Sequence, residues 1–398
     1  MDGLRRGRVV SLGLALELPL ELPGARARSR LAERFPTLAG RTPWRALAHV
    51  PTPVEPLAWP SAASGRAFVK RDDLVSPLFG GNKVRRFEYL LAEAEAHGAR
   101  TLVTVGGLAS TQVMATALFG RALGFGVSAV LFEQPLTSFA RMALATSHAA
   151  GARLVRGGGY VGTAMLALGE LARAERPFLL MPGASSPTAN LGYVEAALEL
   201  GEQVERGLAP RPDAVLVATG SGGTAAGLAV GFALLGWSTE VVAVRITDAW
   251  ACNALTLGAL VDATYARLRS LAPGAALKSS PRVSVEGRFL GAGYGAPTAE
   301  AARARRHLLE VAGVMGEITY SGKALAALET LARERPRANL LYWCTLSSAR
   351  RGALGSDERP LDPSLSLSPP EGFEDCFEGA LPDLDALADP TQTGLSAP

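Results

Sequence analysis

Four short stretches of the 398-residue chain combine residue types that can do chemistry. The first is GGNKVRRFEYL, residues 80 to 90, where Lys83 follows two glycines and an asparagine and opens an apolar, arginine-studded helix pattern. Glycines let the backbone turn tightly, so the amine is held close to the main chain instead of on a solvated face. A lysine held this way suits a covalent bond to a carbonyl, provided the rest of a cofactor site exists elsewhere in the chain. Its ordinary reading is a surface lysine before a helix. The second stretch is GSGGTAAGLAVGF, residues 220 to 232. The N–H groups of Gly220, Ser221, Gly222, Gly223 and Thr224 can converge on one point, which the helix N-terminus makes positive, and together they form a cup for a phosphate. A ligand-free turn is the alternative.

The third stretch, GGLASTQ (106 to 112), presents Ser110, Thr111 and Gln112 at another helix start. Hydroxyl and amide donors there suit a carboxylate, although serine and threonine also serve as routine helix caps. The fourth, GEITYSGKALAAL (316 to 328), puts Tyr320 in a turn before a helix, where packing is the ordinary role of a tyrosine. A nicotinamide site is disfavoured. GxGxxG is absent, Glu240 precedes the strand that an acid should end, and Asp248 follows it late. The lysine of a nucleoside-triphosphate loop is missing too, because Thr224 follows Gly223 directly.

These residues need rigid elements behind them. TLVTVG (101–106), VSAVLF (127–132), FLLMP (178–182), AVLVAT (214–219), EVVAVR (240–245) and NLLYWCT (339–345) read as buried strands. Alanine- and leucine-rich helical segments separate them. Strands and helices in alternation imply parallel sheets with helices on both faces and ligand sites at the carboxyl ends of strands. The glycine loop and GGLASTQ directly follow AVLVAT and TLVTVG.

Composition narrows the function classes. With 48% hydrophobic residues the chain can bury a large core. Three scattered cysteines, Cys252, Cys344 and Cys376, without CxxC spacing, argue against a disulfide framework or zinc site and fit a reducing cytoplasm. Four unpaired histidines leave little for metal chemistry, and no metal is expected. No run approaches the ~18 apolar residues of a membrane span. The start, MDGLRRGRVVSLGLALELPLELPG, mimics a signal peptide, but Glu17 and Glu21 interrupt its apolar run. Residues 353–398 are acidic and rich in Pro and Ser, and read as a flexible tail, with Phe373 and Phe377 as the exception that could anchor it across the cleft. The body is basic, but its arginines are dispersed without interleaved aromatics, so no nucleic-acid partner is expected.

Taken together, the stretches resemble the fold type II enzymes dependent on pyridoxal 5′-phosphate (PLP), and within them the 1-aminocyclopropane-1-carboxylate deaminase and D-cysteine desulfhydrase family. The resemblance runs through PTPVEPL (51–57), VKRDDLVSPLFGGNKVRRFEYLLAEA (69–94), TLVTVGGLASTQ (101–112), LGYVEAALEL (191–200), ATGSGGTAAGL (218–228) and TYSGKALAAL (319–328). It covers about residues 40 to 350. It implies an α/β fold of two domains with parallel-type sheets flanked by helices, similar to tryptophan synthase β. The large PLP-binding domain would comprise residues 1–83 and 193–352, and the small domain residues 84–192, with PLP in the cleft.

By the same resemblance Lys83 forms the Schiff base with PLP, Asn82 shapes the cofactor's bed, and Gly220, Ser221, Gly222, Gly223 and Thr224 hold the phosphate. Thr345 sits by the pyridine nitrogen. Thr111 stands where the family usually has an asparagine that contacts the ring hydroxyl, and CTLSS (344–348) replaces a glycine pair. Ser110 and Gln112 bind the substrate carboxylate or take part in proton transfer, and Tyr320 faces the substrate. A neutral hydroxyl at Thr345 makes PLP a milder electron sink, which favours elimination over transamination. The cyclopropane deaminases carry glutamate after the tyrosine and the desulfhydrases threonine; Ser321 sides with the desulfhydrases. The implied activity is β-elimination and deamination of a small amino acid, giving a 2-oxo acid and ammonia, by a cytoplasmic homodimer. A cyclopropane deaminase, or a non-catalytic descendant that binds PLP or an amino acid, is the alternative.

Overall fold

The computed structural model describes residues 26, 28–59, 66–314, 316–348 and 369–381. The signal-like start lies outside them. Ten strands among the described residues build two sheets. The larger contains β1 (Val54–Pro56), β2 (Ala67–Lys70), β7 (Ala214–Thr219), β8 (Glu240–Arg245), β9 (Val283–Glu286) and β10 (Leu340–Trp343), in the order β1-β2-β10-β7-β8-β9. Only β1 runs antiparallel to its neighbour. The smaller is wholly parallel: β3 (Thr101–Gly107), β4 (Gly126–Phe132), β5 (Arg153–Gly158) and β6 (Pro177–Leu180), in the order β5-β4-β3-β6.

Helices α1 (Arg30–Arg34), α2 (Asn82–Ala96), α3 (Thr111–Leu123), α4 (Ser138–Ala149), α5 (Tyr160–Arg173), α6 (Leu191–Glu205), α7 (Gly223–Leu235), α8 (Ala254–Leu271), α9 (Ala299–Ala312) and α10 (Ser321–Glu334) flank the sheets. The expected α/β architecture is present. All six residues of β7 are buried, as a central parallel strand covered on both faces requires. α7 is apolar all round because it lies in the core, and two of its glycines let α6 approach closely. A Cβ on Gly227 would come within 2.5 Å of Tyr193 Cβ, and one on Gly231 within 2.4 Å of Ala197 Cβ.

The expected domain limits, between residues 83 and 84 and between 192 and 193, fall inside α2 and α6. A buried ion cluster ties those helices to the large sheet. Arg85 of α2 grips Asp72 at 2.7 and 2.9 Å and Glu199 of α6 at 3.0 and 3.1 Å. Lys70 at the end of β2 donates to Glu199 and Gln203, both at 2.7 Å. Asp72 further accepts from Thr52 Oγ1, Tyr193 Oη and Trp343 Nε1 at 2.8, 3.0 and 2.7 Å. Burial opposes the charge on Glu199, yet Arg85 and Lys70 hold its pKa well below the usual carboxylate range.

Composition predicts a flexible tail, and residues 369–381 depart from that expectation. Phe373 is fully buried among Leu108, Ala109, Val113, Leu131, Ala140 and Leu144 on the small-sheet side, with Cys376 beside it. Arg141 reaches the carbonyls of Cys376, Glu378 and Gly379 at 2.7, 2.6 and 2.9 Å, and Arg156 forks onto Asp375 at 2.6 and 3.0 Å. The acidic segment finds basic partners, and its aromatic ring supplies an anchor that average composition conceals. The rest of the tail lies outside the described residues. Phe373→Ala is expected to cost about 3 kcal/mol of unfolding free energy, as for other buried phenylalanines. Urea denaturation measures it, and a midpoint equal to that of the parent protein would contradict the docking.

Candidate active site

The Gly80–Gly81 turn passes where no side chain fits. A Cβ on Gly80 would lie 1.8 Å from the Asp73 carbonyl oxygen; one on Gly81, whose φ is +86°, would lie 2.3 Å from that of Thr345. The Gly81 N–H donates to the Asp72 carbonyl at 2.7 Å and the Asn82 N–H to the Thr345 carbonyl at 3.1 Å. Ser347 Oγ accepts from the Gly80 N–H at 2.7 Å, and the Ser348 N–H donates to the Asp73 carbonyl at 3.1 Å. CTLSS, which stands in place of a glycine pair, therefore clasps the turn with hydrogen bonds of its own. Lys83 begins α2 pressed against the carboxyl end of β10, and its Nζ donates to Asn82 Oδ1 at 2.8 Å. Burial, with Arg86 one turn along, pushes the Lys83 ammonium well below its ordinary range. The amine is thereby made available as a neutral nucleophile or base.

The glycine loop meets this turn through Thr224, whose Oγ1 accepts from Asn82 Nδ2 at 3.2 Å and also from Arg86. Arg86 donates in addition to the Gly183 carbonyl and, at 3.1 Å, to Ser185 Oγ. Ser185 Oγ lies 2.6 Å from Ser221 Oγ, which extends the rim of the loop. A Cβ on Gly223 would lie 2.3 Å from Asn190 Oδ1. Arg86 is buried, its Nε has no partner, and no carboxylate pairs with it among the described residues. Burial lowers its pKa to about 10, so it stays cationic at neutral pH. A buried cation left uncompensated at the mouth of a helix N-terminus is what a phosphate dianion would offset.

Ser110, Thr111 and Gln112 form a second group, at the start of α3. Ser110 Oγ accepts from the Val113 N–H at 3.3 Å and so caps the helix. Gln112 Nε2 donates to Thr104 Oγ1 at 2.7 Å and to the Met181 carbonyl at 2.9 Å, while its Oε1 is buried without a partner. Both amide hydrogens are thus engaged, and in this arrangement the side chain offers a carboxylate no donor. Tyr320 stands across from this group. Its hydroxyl lies 2.7 Å from that of Tyr294, and burial raises its pKa to about 12, which keeps it protonated. Tyr294 abuts the Ser110 loop, since a Cβ on Gly107 would come within 3.1 Å of its ring. No hydrogen bond among the described residues joins Lys83 directly to Ser110 or Tyr320.

Sequence reading missed Arg86, Ser185 and Tyr294. Arg86 lay inside the quoted lysine motif, three residues after Lys83 and hence on the same helix face, so its spacing was a usable signal. Ser185 and Tyr294 sit in loops and carried none.

The pyridoxal-phosphate dependent enzyme family model matches residues 46–341. The chain belongs to that family. It is 34% identical over 305 residues to a D-cysteine desulfhydrase from Klebsiella pneumoniae (strain 342), covering 74% of this chain and 88% of the relative. A D-cysteine desulfhydrase from Salmonella schwarzengrund (strain CVM19633) is 34% identical over 307 residues, with the same coverage. Among solved structures, an ACC deaminase homologue superposes with a TM-score of 0.66 at 26% identity, over 81% of this chain and 96% of that one. An O-ureido-L-serine synthase at 18% identity and TM-score 0.52, over 78% of this chain and 95% of that one, shares the fold. The protein is therefore a fold type II PLP enzyme, and the buried lysine and the uncompensated arginine fit its cofactor. Arg86→Leu is expected to weaken binding of PLP and of inorganic phosphate at least about tenfold, near 1.4 kcal/mol. Fluorescence titration measures both, with circular dichroism to show that the variant is folded.

Proposed function

We propose that this PLP enzyme removes a β-substituent from a small amino acid such as D-cysteine, yielding a 2-oxo acid and ammonia. The observation that carries the reading is the absence of a free carboxylate beside Tyr320 among the described residues. Glu317 accepts the N–H groups of Thr319, Tyr320 and Ser321 at 2.6, 2.7 and 2.8 Å, and so closes the turn before α10. Ser321, buried, accepts from the Glu317 N–H at 2.6 Å and donates back to its carbonyl at 2.9 Å. The position where the ring-opening relatives carry glutamate therefore holds an inward-facing hydroxyl. Names among the relatives support the same choice.

In this reading the domain of residues 1–83 and 193–352 binds PLP, and that of 84–192 closes the cleft. Asn82, Thr111, Thr345, Arg86 and residues 220–224 hold the cofactor, which when bound supplies a sink for the electrons left at the substrate's α-carbon. The neutral Nζ of Lys83 takes the α-proton. The protonated Tyr320 hydroxyl, steadied by Tyr294, donates toward the departing β-substituent. Ser110 flanks the carboxylate, and Gln112 joins it only if its amide releases Thr104 or Met181. The buried state of all three cysteines supports a reducing cytoplasm, and the exposed Val161, Met165 and Leu168 along α5 support a homodimer.

Pyruvate release from D-cysteine or β-chloro-D-alanine is expected to exceed 2-oxobutanoate release from aminocyclopropane carboxylate; the reverse order overturns the reading. Lys83→Ala is expected to lower kcat by about 10²–10⁴-fold. Because the Lys83 pKa is depressed, the active neutral amine is present above that pKa, and activity falls as pH drops through it. A pH profile of kcat/KM checks the direction. Thr111→Asn restores an amide toward the cofactor's ring and is expected to tighten PLP by roughly 1.5–3 kcal/mol, as a hydrogen bond to a charged group.

A further inference from the structure

Five aromatic side chains form an unbroken row that starts at the proposed catalytic pair and ends in solvent. Tyr320 meets Tyr294 edge-on with ring centres 6.1 Å apart, and Tyr294 meets Phe132 at 5.7 Å. Phe132 meets Tyr160 at 5.0 Å, and Tyr160 meets Trp250 edge-on at 6.1 Å. Phe132 ends β4 and Tyr160 begins α5, on the small-sheet side; Trp250, Tyr294 and Tyr320 come from the large-sheet side. The row thus crosses between the two sheets at the carboxyl ends of their strands, where α/β proteins bind ligands.

The inner and outer ends differ. Phe132 and Tyr294 flank the Ser110 loop so closely that a Cβ on Gly107 would lie 3.0 and 3.1 Å from their rings. The outer members are uncovered: Trp250 is 70% exposed and Tyr160 49%. Burial, with the Asp248 carboxylate beside it, raises the Tyr160 pKa, so the phenol stays neutral. A thiol leaving group needs only the inner pair. Three further rings, continuous with that pair and open to solvent at Tyr160 and Trp250, suit an apolar body longer than a thiol and able to stack against aromatic edges.

We propose that the row from Tyr294 to Trp250 is a subsite for the leaving group, and that the substrates are S-aralkyl or S-aryl derivatives of a cysteine-type amino acid. The inference rests on the β-elimination reading and specifies which substituent departs. In the reaction the Cα–H and Cβ–S bonds break and the sulfur leaves with its bonding electron pair. It takes up a proton as the free thiol, and one water hydrolyses the remaining unsaturated amine to pyruvate and ammonium. The aromatic body stays bound along Phe132, Tyr160 and Trp250 while the bond breaks, then leaves toward solvent.

The test compares S-benzyl-D-cysteine with S-methyl-D-cysteine on the PLP-loaded enzyme, following both pyruvate and released thiol. The S-benzyl compound is expected to have a kcat/KM about tenfold higher, in line with pocket discrimination of an added apolar group. Trp250→Ala and Tyr160→Ala are each expected to raise KM for the S-benzyl substrate about fivefold more than for the S-methyl one, as loss of an aromatic pair implies. Titration with S-benzyl-D-cysteine is further expected to change tryptophan fluorescence in the parent protein and not in Trp250→Phe. Equal kcat/KM for the two substrates, or equal KM effects in the variants, overturns the subsite. Absence of pyruvate from every substrate overturns the elimination reading instead. The fluorescence titration still decides the subsite in that case: a signal retained in Trp250→Phe refutes it and a signal lost supports it.

Discussion

Four buried charges tie α2 and α6 to the large sheet. Lys70, Asp72, Arg85 and Glu199 sum to zero and lie almost wholly out of water, so each is tolerable only while the others stay in place. The cluster draws on the end of β2, the start of α2 and the middle of α6, the places where the chain passes between its large and small sheets. Replacing one partner strands the rest in a low-dielectric interior, at a cost of roughly 3–5 kcal/mol. Apolar packing of the same volume is often at least as stable; what the cluster fixes here is which residues of β2, α2 and α6 meet. Lys83 sits two residues ahead of Arg85 and the glycine turn just before it, and both inherit that alignment.

Arg85 and Arg86 are chain neighbours with opposite surroundings. A helix turns by about 100° per residue, so adjacent side chains face different environments. Arg85 meets two carboxylates and its pKa is raised, whereas Arg86 meets hydroxyls, a carbonyl and the face of Tyr193, and its pKa is lowered. One is neutralised by carboxylates of the fold, and the other has no carboxylate partner among the described residues. The same uncompensated charge lowers the proton affinity of Lys83. A phosphate held at the glycine loop, as proposed, would weaken that effect and so couple the loop to the lysine electrostatically.

Much of this was legible before any coordinates. AVLVAT and EVVAVR are β7 and β8 residue for residue, because central parallel strands covered on both faces must be continuously apolar. β5, with the sequence RLVRGG, escaped notice, since an edge strand can leave arginines in solvent and its apolar run is broken. Lys83, Asn82 and Thr224 come together as their motifs implied. The role of Gln112 was less readable: its donors are engaged by Thr104 and Met181, contacts between elements that no local pattern encodes. Phe373 is legible only as an exception to the tail's composition, one of two phenylalanines able to anchor it. A single anchor in an acidic, proline-rich stretch leaves composition unchanged while its ring fills a place in the small-sheet cluster.

The docked segment also has a consequence for biogenesis. The strands of the small sheet are complete at Leu180, but the apolar face that receives Phe373 is not covered until a segment synthesised long afterwards returns to it. Until that segment emerges, a growing chain lacks the ring that packs on Leu108, Val113, Leu131 and Leu144. Nascent chains in this condition are natural clients of chaperones. A chain that stalls before residue 369 lacks the ring that packs on this face.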